Sequence, residues 1–516
     1  MAASASQDKG EGPSHSSTSA SKHAFISFPG ALYTHSSVLR AAHSTLAPAG
    51  WTLHERAHSG QTDEDTVQWV QEESGTESSS SSSSSSAQRT LYLMDYDLIP
   101  FDSIHPSRAS GSSTSASSAS SYPIRKALIR KNWLYSSIQS HSVKSSSSSS
   151  AAAVAGQGSR SALSYLPRTW SVDIQFADDL DELLIDELYD LKEILDKAEG
   201  EGEEKKWFIL KAGMADRGMG IKMFDSLEAL QGILEEWEGD EDSDKGSDSE
   251  GEQEEEIEGE DEGDNGVLLG QLRHFVIQEY LSRPLLIAPN SSHPTSYRKF
   301  HLRAYVLCIG GLRVHLWDEM LALFAPAPYQ DPTEDCDPKI HLTNTCLHAD
   351  GSLTEDGRLA QENVHLLSDL CREGARYAPS RPGGRTGGKL TGEDWQRLKS
   401  LAKATIGATF EAAAKGSGST NWLMWEGCWE VLGVDLMVGW EGEGEGERGG
   451  WRMWLLEVNA QPDFAQSGPR LQKTIDDLFC ASLRLAVLGE TLNTEAEADA
   501  TSGMSLCFEE QMRGNW

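Results

Sequence analysis

The chain has 516 residues, enough for about three domains at roughly 100–200 residues each, yet its composition excludes a chain that folds throughout. Ser-rich stretches at 77–86 and 145–150 cannot bury enough apolar surface to offset the entropy lost on ordering them. A formal net charge of −36 argues against a general attraction to nucleic acid or anionic membranes, so neither is expected as a partner.

Cysteine usage and hydropathy predict a cytoplasmic chain without a membrane span. Seven cysteines are scattered with no C-x-x-C pair, which argues against zinc ribbons and secreted disulfide scaffolds. The first residues contain no apolar core typical of a signal peptide, and no run of about 18 apolar residues is present.

Shifts in composition divide the chain into a folded middle with biased ends. We predict a disordered tail at 1–20 and an N-terminal α/β subdomain with Ser-rich loops at 21–167. A central subdomain follows at 168–296, a C-terminal subdomain at 297–490 and a polar tail at 491–516. Residues 235–264 contain 18 acidic residues and one lysine. We therefore predict a disordered acidic insertion at 235–266 within the central subdomain.

Hydrophobic periodicity predicts the elements of the first two subdomains. Residues 25–46 predict a strand, a Pro-Gly turn and a helix, 90–101 predict a second strand, and 121–141 predict a basic amphipathic helix. The central subdomain begins with an acidic helix at 178–200. Residues 205–224 predict a strand, a glycine-containing loop and a second strand. A helix is predicted at 226–238 and a further strand within 273–287.

The C-terminal subdomain combines strands with two long helices. Residues 298–325 predict two strands joined near Gly310, and 341–348 form a polar loop motif. Helices are predicted at 393–415 and around 469–488.

Two apolar runs in this subdomain carry buried acids. The runs 431–440 and 451–460 flank a Gly/Glu-rich stretch and predict a hairpin. Side chains alternate along a strand, so Glu457 and Asn459 share a face, and antiparallel pairing of Asp435 with Glu457 would cluster all three. Two carboxylates and a carboxamide suit Mg²⁺ bound with nucleotide phosphates. A hairpin with one solvated polar face is the alternative.

A lysine followed by a glycine-containing loop suggests an anion site. Lys211 ends an apolar strand and supplies a fixed positive charge for a phosphate. Gly213, Gly218 and Gly220 allow backbone N–H groups to approach anionic oxygens closely. The loop is neither a Walker A motif nor a dinucleotide fingerprint. The alternative is a plain hairpin turn with a surface lysine.

Other polar positions follow or interrupt apolar strands. The end of one strand offers backbone groups to a base, at Gln278, Glu279, Tyr280 and Leu281. Lys299, His301 and Arg303 alternate with apolar residues and share one strand face, which requires an anion or water. The alternative for residues 278–281 is an ordinary strand end. His341 and Asn344 form a pair that is usually structural, through capping or turn hydrogen bonds.

The order of these motifs resembles the tubulin-tyrosine ligase family of the ATP-grasp superfamily over most of 120–485. The segments that carry the resemblance are RKALIRK (125–131), ILK…DRGMGI (209–221), QEYLSRPLL (278–286), RKFHLRAYVL (298–307), HLTNTC (341–346), VDLMV (434–438) and LEVNAQPDF (456–464). The resemblance implies an ATP-grasp fold of mixed α/β and α+β class, in which a C-terminal antiparallel sheet and a central subdomain hold ATP between them.

The resemblance also implies roles for individual residues. Lys126 and Lys211 match lysines that hold phosphates. Glu279 and Leu281 match backbone contacts to adenine, beside Gln278 and Tyr280. Lys299 and Arg303 match basic residues that face the nucleotide and the acyl substrate. Asn344 matches a loop residue near the ribose and phosphate. The residues that match the ligands of Mg²⁺ are Asp435, Glu457 and Asn459.

Three departures from the family pattern concern the substrate more than the nucleotide. Ala212 replaces the usual proline after the loop lysine, and His301 replaces an aspartate. Leu323 or Phe324 stands where tubulin-directed members carry an arginine, which argues against an acidic tubulin tail as substrate. The chain most resembles a divergent branch that includes P-body-associated proteins, which implies mRNA-decay proteins as partners.

Three functions remain open from the sequence. The leading hypothesis is an ATP- and Mg²⁺-dependent ligase that joins an amine to a protein carboxylate through an acyl phosphate. The second is a nucleotide-binding scaffold of cytoplasmic mRNA-decay granules with little or no catalysis. The third is an ATP-grasp enzyme that acts on a small metabolite.

Overall fold

The structure is a computed structural model, and it describes residues 21–56, 62–73, 88–106, 116–148, 161–198, 200, 205–213, 220–243, 273–343, 363–379, 387–417, 420–440, 450–490 and 503–511. Strands of these residues form four sheets, and helices cover them. No helix within these ranges has the length and apolarity needed to cross a bilayer.

The N-terminal part of the chain is a parallel sheet with the order β2-β1-β3-β4. Its strands are β1 (Ser21–Ser27), β2 (Thr52–Glu55), β3 (Gln88–Met94) and β4 (Ala116–Ala119). Helices α1 (Leu32–Thr45) and α2 (Asp63–Glu73) make the returns that parallel strands require. The strand and helix predicted within 25–46 and the strand predicted within 90–101 are confirmed.

The helix predicted over 121–141 is wrong in its first half. Two helices separated by Arg130 in extended backbone replace it, α3 (Lys126–Ile129) and α4 (Lys131–Ser148). The Ala127 N–H donates to the Asn421 carbonyl at 2.9 Å, so this segment is bonded to a distant loop instead of continuing one helix. The break turns the chain before α4 begins.

The central part is an antiparallel sheet with the order β5-β8-β6-β7. Its strands are β5 (Thr169–Asp173), β6 (Phe208–Ala212), β7 (Ile221–Phe224) and β8 (His274–Glu279). Helices α5 (Asp179–Leu183), α6 (Tyr189–Ala198) and α7 (Leu227–Ser243) accompany it. The strands predicted within 205–224 and 273–287 are confirmed.

Two boundaries in this part differ from prediction. The acidic helix predicted over 178–200 is interrupted by a turn at 184–188, which brings Leu188 into the core. Helix α7 continues to Ser243, beyond the predicted start of the disordered insertion at 235, because Trp237 is buried and stacks on Phe275 at 5.6 Å. The rest of the predicted insertion lies outside the described residues.

The C-terminal part is built on a seven-stranded sheet within the described residues. Five strands run in the order β13-β12-β10-β11-β18, and β16 pairs with the other edge of β10 and carries β17. The strands are β10 (Phe300–Ile309), β11 (Arg313–Trp317), β12 (Leu321–Phe324), β13 (Val364–Leu366), β16 (Trp429–Trp440), β17 (Trp451–Ala460) and β18 (Met504–Glu509). A small sheet has the order β15-β14-β9, with β9 (Ile287–Ala288), β14 (Arg376–Tyr377) and β15 (Gly388–Lys389).

Two expectations about this sheet are corrected. The segment 298–325 forms three strands, not two, because the strand that follows Gly310 is interrupted at 318–320, so that β11 pairs with the second half of β10 and β12 with its first half. The predicted polar tail at 491–516 contains β18, which pairs with β11. Met504 is fully buried and the Ser505 hydroxyl donates to Asp318 at 2.7 Å, so this short segment is tied to the core.

The two faces of strand β10 are covered by different elements. Even-numbered residues from Phe300 to Cys308 share a core with α10 (Gly392–Ser417). Odd-numbered residues from Tyr305 to Ile309 share a core with α11 (Gln472–Ala486) and with α1. The helices predicted at 393–415 and 469–488 are confirmed. Short helices α8 (Pro338–His341) and α9 (Leu367–Glu373) lie near β12 and β13.

The N-terminal sheet and the large sheet are joined. Ala119 of β4 forms a parallel bridge with Cys428, one residue before β16. The Arg125 Nε lies 2.8 Å from the Glu430 Oε1, and both side chains are buried. The apolar core of β1 and α1 is continuous with that of α11. These contacts make the two sheets one packed body.

Candidate functional site

The hairpin β16–β17 has the register that clusters its polar side chains. Asp435 pairs with Glu457, as the alternation predicts. The Asn459 Nδ2 lies 3.2 Å from the Asp435 Oδ2 and 3.4 Å from the Glu457 Oε1. Three oxygen-bearing side chains therefore meet on one face of the hairpin.

Arg303 of β10 holds Asp435 in a bidentate pair. The Arg303 Nε donates to one carboxylate oxygen at 2.5 Å and Nη2 donates to the other at 3.1 Å. Burial alone would lower the pKa of Arg303, but the adjacent Asp435 raises it. The Arg303 guanidinium therefore stays charged, and its planar fork fixes the orientation of the Asp435 side chain.

Lys131, at the start of α4, is the partner of Glu457. Its Nζ lies 3.3 Å from the Glu457 Oε2. Burial raises the pKa of Glu457, but the charges of Lys131, Lys211 and Arg303 outweigh burial and lower the pKa below its ordinary value. Glu457 is therefore a carboxylate at neutral pH.

Lys211 faces the hairpin from the central sheet. It lies in β6, is 8% exposed, and its Nζ donates to the Gln278 Oε1 at 2.7 Å. Gln278 in turn donates to the Thr169 hydroxyl at 3.3 Å. Burial lowers the pKa of Lys211 to about 8, against the opposing charge of Glu457. Among the predicted residues, Lys211 is thus the buried cation opposite the carboxylates.

Two cavities join the central sheet to the hairpin. One of about 160 Å³ is lined by Lys131, Lys211, Gln278, Glu457 and Asn459, among others. The other, of about 60 Å³, shares Lys211 and Gln278 with the first. They form one cleft with a polar end and an apolar end.

The apolar end of the cleft contains the predicted base contacts. Glu279 and Leu281 line it together with Lys299. The N–H groups of Glu279 and Tyr280 already donate to the carbonyls of Arg168 and Trp207 at 2.8 Å, so these two donors serve the sheet. The end of β8 therefore lies beside an apolar slot to which Ile209 and Leu281 contribute.

Lys299 is a second buried cation in this cleft. It is 2% exposed, and its Nζ lies 3.8 Å from the centre of the Tyr280 ring. The Tyr280 hydroxyl lies 2.9 Å from the His341 Nδ1. Burial, followed by the charge of Lys211, lowers the pKa of Lys299 far below its ordinary value. An anion arriving in the cleft would relieve this cost.

The substituted position His301 has an ordered neighbourhood. Its Nδ1 lies 2.6 Å from the Thr343 hydroxyl, and its Nε2 lies 3.7 Å from the Asp435 Oδ1. Burial lowers the pKa of His301, so the neutral ring is favoured. Leu323 of β12 pairs with His301 of β10 and is buried, and Phe324 is fully buried. Neither position therefore presents a polar group to a substrate.

Some predicted residues are not brought to the cleft. Lys126 is exposed and lines neither cavity, because the break at Arg130 turns α3 away and presents Lys131 instead. Gly220 takes φ +66° just before β7, a left-handed conformation that favours glycine. Gly218 and Asn344 lie outside the described residues.

Two contributors were missed by sequence reasoning. Lys131 and Thr169 contact Glu457 and Gln278, yet neither was assigned a role. The only available signal for Lys131 was the repeated Arg-Lys pair within 125–131, which does not show which lysine faces the cleft. Thr169 carries no signal, because it is an ordinary strand residue.

The donor set fits Mg²⁺ only in company with phosphate. Among the described residues no cluster of three or more His, Cys, Asp or Glu side chains is arranged for a metal. Asp435 and Glu457 supply hard oxygen atoms at one point, with the Asn459 carboxamide beside them, and Mg²⁺ ordinarily takes one or two carboxylates and completes its shell with water and phosphate. The residues therefore suit a nucleotide-bound ion.

Comparison with solved structures defines the class. The chain is similar to the C-terminal domain of Pby1 from K. lactis, described as an ATP-grasp enzyme interacting with the mRNA decapping enzyme Dcp2. The likeness has a TM-score of 0.53 at 23% identity and covers 95% of this chain and 99% of that one. The protein therefore has an ATP-grasp fold, of α+β class, as the sequence predicts.

Sequence comparison defines the family. A profile of the tubulin-tyrosine ligase family matches residues 122–495, and the chain belongs to this family. A probable tubulin–tyrosine ligase of Schizosaccharomyces pombe, C12B10.04, is 32% identical over 370 residues, covering 71% of this chain and 76% of the relative. The predicted family resemblance is confirmed.

Two other relatives are longer than this chain. The probable tubulin–tyrosine ligase PBY1 of Saccharomyces cerevisiae is 32% identical over 374 residues, covering 71% of this chain but 42% of that protein. The human tubulin polyglutamylase TTLL13 is 25% identical over 229 residues, covering 42% of this chain and 24% of that protein. The chain thus spans less than half of either relative.

Proposed function

We propose that the protein is an ATP- and Mg²⁺-dependent ligase that joins an amine to a carboxylate on a protein through an acyl phosphate. The observation that carries this proposal is the cleft in which Lys211 and Lys131 face Glu457, with Asp435 and Asn459 beside it. Cations on one wall and oxygen donors on the other are what a metal-bound triphosphate requires.

The reaction has two balanced steps. The carboxylate oxygen attacks the γ-phosphorus, the bond between that phosphorus and the bridging oxygen breaks, and ADP leaves. The amine nitrogen then attacks the acyl carbon, the carbon–oxygen bond to phosphate breaks, and an amide forms as a proton is lost.

The side chains of this chain divide the electrostatic work. Lys131 and Lys211 place positive charge where phosphate oxygens would lie, and Lys299 would add a third charge at the apolar end once an anion is bound. Arg303 keeps Asp435 oriented by its two hydrogen bonds. Bound Mg²⁺, held by Asp435, Glu457 and Asn459, would act as a Lewis acid on the phosphate oxygens.

A thermal-shift titration with Mg-ATP tests the site. A ligand that binds only the folded state raises the melting temperature, so wild type is expected to shift and Glu457→Gln to shift much less. Glu228→Gln is the matched control, because Glu228 is exposed on α7, away from the cleft. Equal shifts in all three proteins would refute the assignment of Glu457.

Catalysis requires a separate assay. Release of ADP and phosphate is measured with pooled acceptor proteins and amines, with and without Mg²⁺. Turnover that requires both a carboxylate acceptor and an amine supports the ligase. Nucleotide binding without turnover in any pool would favour the second function.

The second candidate function is a nucleotide-binding scaffold for mRNA-decay proteins in the cytoplasm, including P-bodies. Two observations favour it: the buried, neutral His301 beside Asp435, and the similar Pby1 domain, whose description names a decapping enzyme as its partner. Binding of a purified decapping enzyme that survives Asp435→Ala with Glu457→Ala would support a scaffold. Binding lost together with nucleotide would contradict a pure scaffold.

A further inference from the structure

Lys299 depends on one aromatic ring for its position in the cleft. Its Nζ lies 3.8 Å from the centre of the Tyr280 ring, within the distance at which an ammonium group is attracted to an aromatic face. Among the residues that the structure describes, no hydrogen bond or ion pair holds this Nζ. The position of the Tyr280 ring therefore sets where the Lys299 ammonium group lies.

The Tyr280 ring is held in turn by His341. The Tyr280 hydroxyl lies 2.9 Å from the His341 Nδ1, and the two rings meet edge to face with 5.6 Å between their centroids. Both side chains are buried. The Tyr329 ring also meets the His341 ring edge to face, at 5.8 Å, and its hydroxyl donates to the Ser282 carbonyl at 3.2 Å. The imidazole ring of His341 is thus packed against two aromatic rings.

A second hydrogen bond fixes which nitrogen of His341 accepts. The His341 Nε2 lies 2.6 Å from the Asp335 carbonyl oxygen, which can only accept, so Nε2 carries a hydrogen atom. Burial is the main cause that lowers the pKa of His341, and it favours the neutral ring. The Nδ1 of the neutral ring then has a lone pair, so it accepts the hydrogen bond from the Tyr280 hydroxyl. The Tyr280 hydroxyl is therefore the donor in this pair.

The contact between Tyr280 and His341 crosses between the two parts of the chain that enclose the cleft. Tyr280 follows β8, and its N–H donates to the Trp207 carbonyl at 2.8 Å, which ties it to the central sheet. His341 ends α8 in the C-terminal part, and Lys299 lies one residue before β10 in the same part. The C-terminal part therefore contacts the Tyr280 ring at its face through Lys299 and at its hydroxyl through His341.

His341 has no polar atom left for a nucleotide, although it lines the cavity of about 60 Å³. One ring nitrogen is engaged by the Asp335 carbonyl and the other by Tyr280. A plain capping role in its own loop would need only the bond to Asp335. Lys211 lines the same cavity as Lys299, and its charge contributes to the lowered pKa of Lys299, so the two ammonium groups converge on one space. The bond to Tyr280 therefore connects His341 to a cation that faces a ligand.

We propose that His341 is a positioning residue for nucleotide binding, which holds the Tyr280 ring so that Lys299 presents its ammonium group to a phosphate. The proposal rests on the ligase function above, because it assumes that the cleft takes Mg-ATP. His341 itself touches neither the phosphate nor the metal. A group that binds phosphate must be kept in place by the packing and hydrogen bonds around it, and His341 supplies both to Tyr280.

Calorimetric titration of the full chain with Mg²⁺ and a non-hydrolysable ATP analogue tests the proposal. His341→Leu is expected to weaken binding of the analogue about tenfold or more, because a displaced cation loses its hydrogen bond to the phosphate. Tyr280→Phe keeps the ring, removes only the hydroxyl, and is expected to weaken binding by a similar factor. His341→Asn, whose amide oxygen can take the place of Nδ1, is expected to recover most of the lost affinity. His293→Gln is the matched control, at an exposed histidine that lines neither part of the cleft.

Combination with Lys299→Met separates positioning from a general structural role. Lys299→Met alone is expected to weaken binding about tenfold or more. Adding His341→Leu should then weaken it by less than about threefold, because the cation that His341 positions is already gone. A second loss of about tenfold in the double variant would show that His341 acts independently of Lys299, and it overturns the proposal. If His341→Leu does not fold, Tyr280→Phe takes its place in the combination.

Binding by the wild-type chain separates the two levels of inference. A wild-type chain that binds the analogue, with unchanged affinity in His341→Leu or in Tyr280→Phe, overturns the positioning role and leaves the proposed function standing. A wild-type chain that does not bind the analogue overturns the proposed function, and this inference with it.

Discussion

Lys211 is expected to destabilise the protein when no nucleotide is bound. Its ammonium group is 8% exposed and has a single neutral hydrogen-bond partner, the Gln278 side chain. Burial lowers its pKa to about 8 from 10.5. A base with a lowered folded-state pKa costs its full penalty below that pKa, and stability rises as pH increases toward the unfolded-state pKa.

The magnitude follows from this interval. A difference of about 2.5 pKa units corresponds to about 3 kcal/mol at pH 7, where Lys211 is charged in both states. At pH 9.5 the folded lysine is neutral and only about 1.4 kcal/mol remains. Lys211→Met removes this term, so its stability relative to wild type should fall by about 2 kcal/mol between pH 7 and pH 9.5.

Urea denaturation of both proteins at the two pH values measures the difference. The substitution also removes the hydrogen bond to Gln278 and alters the packing. These effects are the same at both pH values, so they cancel in the difference between the two relative stabilities. Lys222→Met is the control, because Lys222 lies in the same sheet with its side chain 40% exposed. A relative stability of Lys211→Met that is equal at pH 7 and pH 9.5 would refute the buried cation.

Three substitutions test other parts of the structure by urea or thermal denaturation. Arg303→Met should cost about 3–5 kcal/mol because it strands buried Asp435, and adding Asp435→Asn should recover most of it; no recovery would contradict the pair. Gly407→Ala should cost about 1–3 kcal/mol because its Cβ would lie 2.7 Å from the Cys507 carbonyl, and an unchanged melting temperature would show β18 elsewhere. Trp237→Ala should cost about 3–5 kcal/mol, unless α7 ends before that residue.

The hairpin was predictable because its information is local. Alternation fixes which side chains share a face, and a one-residue slip would have placed Asp435 in the opposite core. The pairing of Asp435 with Glu457 therefore followed from two apolar runs and one loop. The same reasoning placed Lys211 at the end of a strand. That Lys211 faces Glu457 could not be predicted, because it depends on how the central sheet packs against the hairpin.

Residues that depend on breaks and distant contacts were not predictable in the same way. Lys126 and Lys131 differ only in which side of Arg130 they occupy, and at the break the Lys131 N–H donates to the carbonyl of the distant Gly213 at 3.4 Å. Strand β18 was assigned to a polar tail because its six residues are stable only beside β11. Local periodicity has no access to such partners.

A cavity of about 570 Å³ at the edge of the N-terminal sheet shows the same limit more strongly. Part of its wall comes from the segment after β1 and from β3, and the rest comes from β16, the loop after β17 and α11, hundreds of positions further along the chain. None of those segments is unusual alone. Only the convergence of Asp95 with Trp429 and Pro462 makes the cavity.

The shared core of the N-terminal and large sheets has a practical consequence for anyone shortening the protein. The family match begins at residue 122, which invites a fragment cut there. That cut would remove Ile26, Val38 and Leu93, which pack in the same core as the residues of α11. A large apolar surface would then be exposed to water. Such a fragment should precipitate, and its inactivity would say nothing about the full chain.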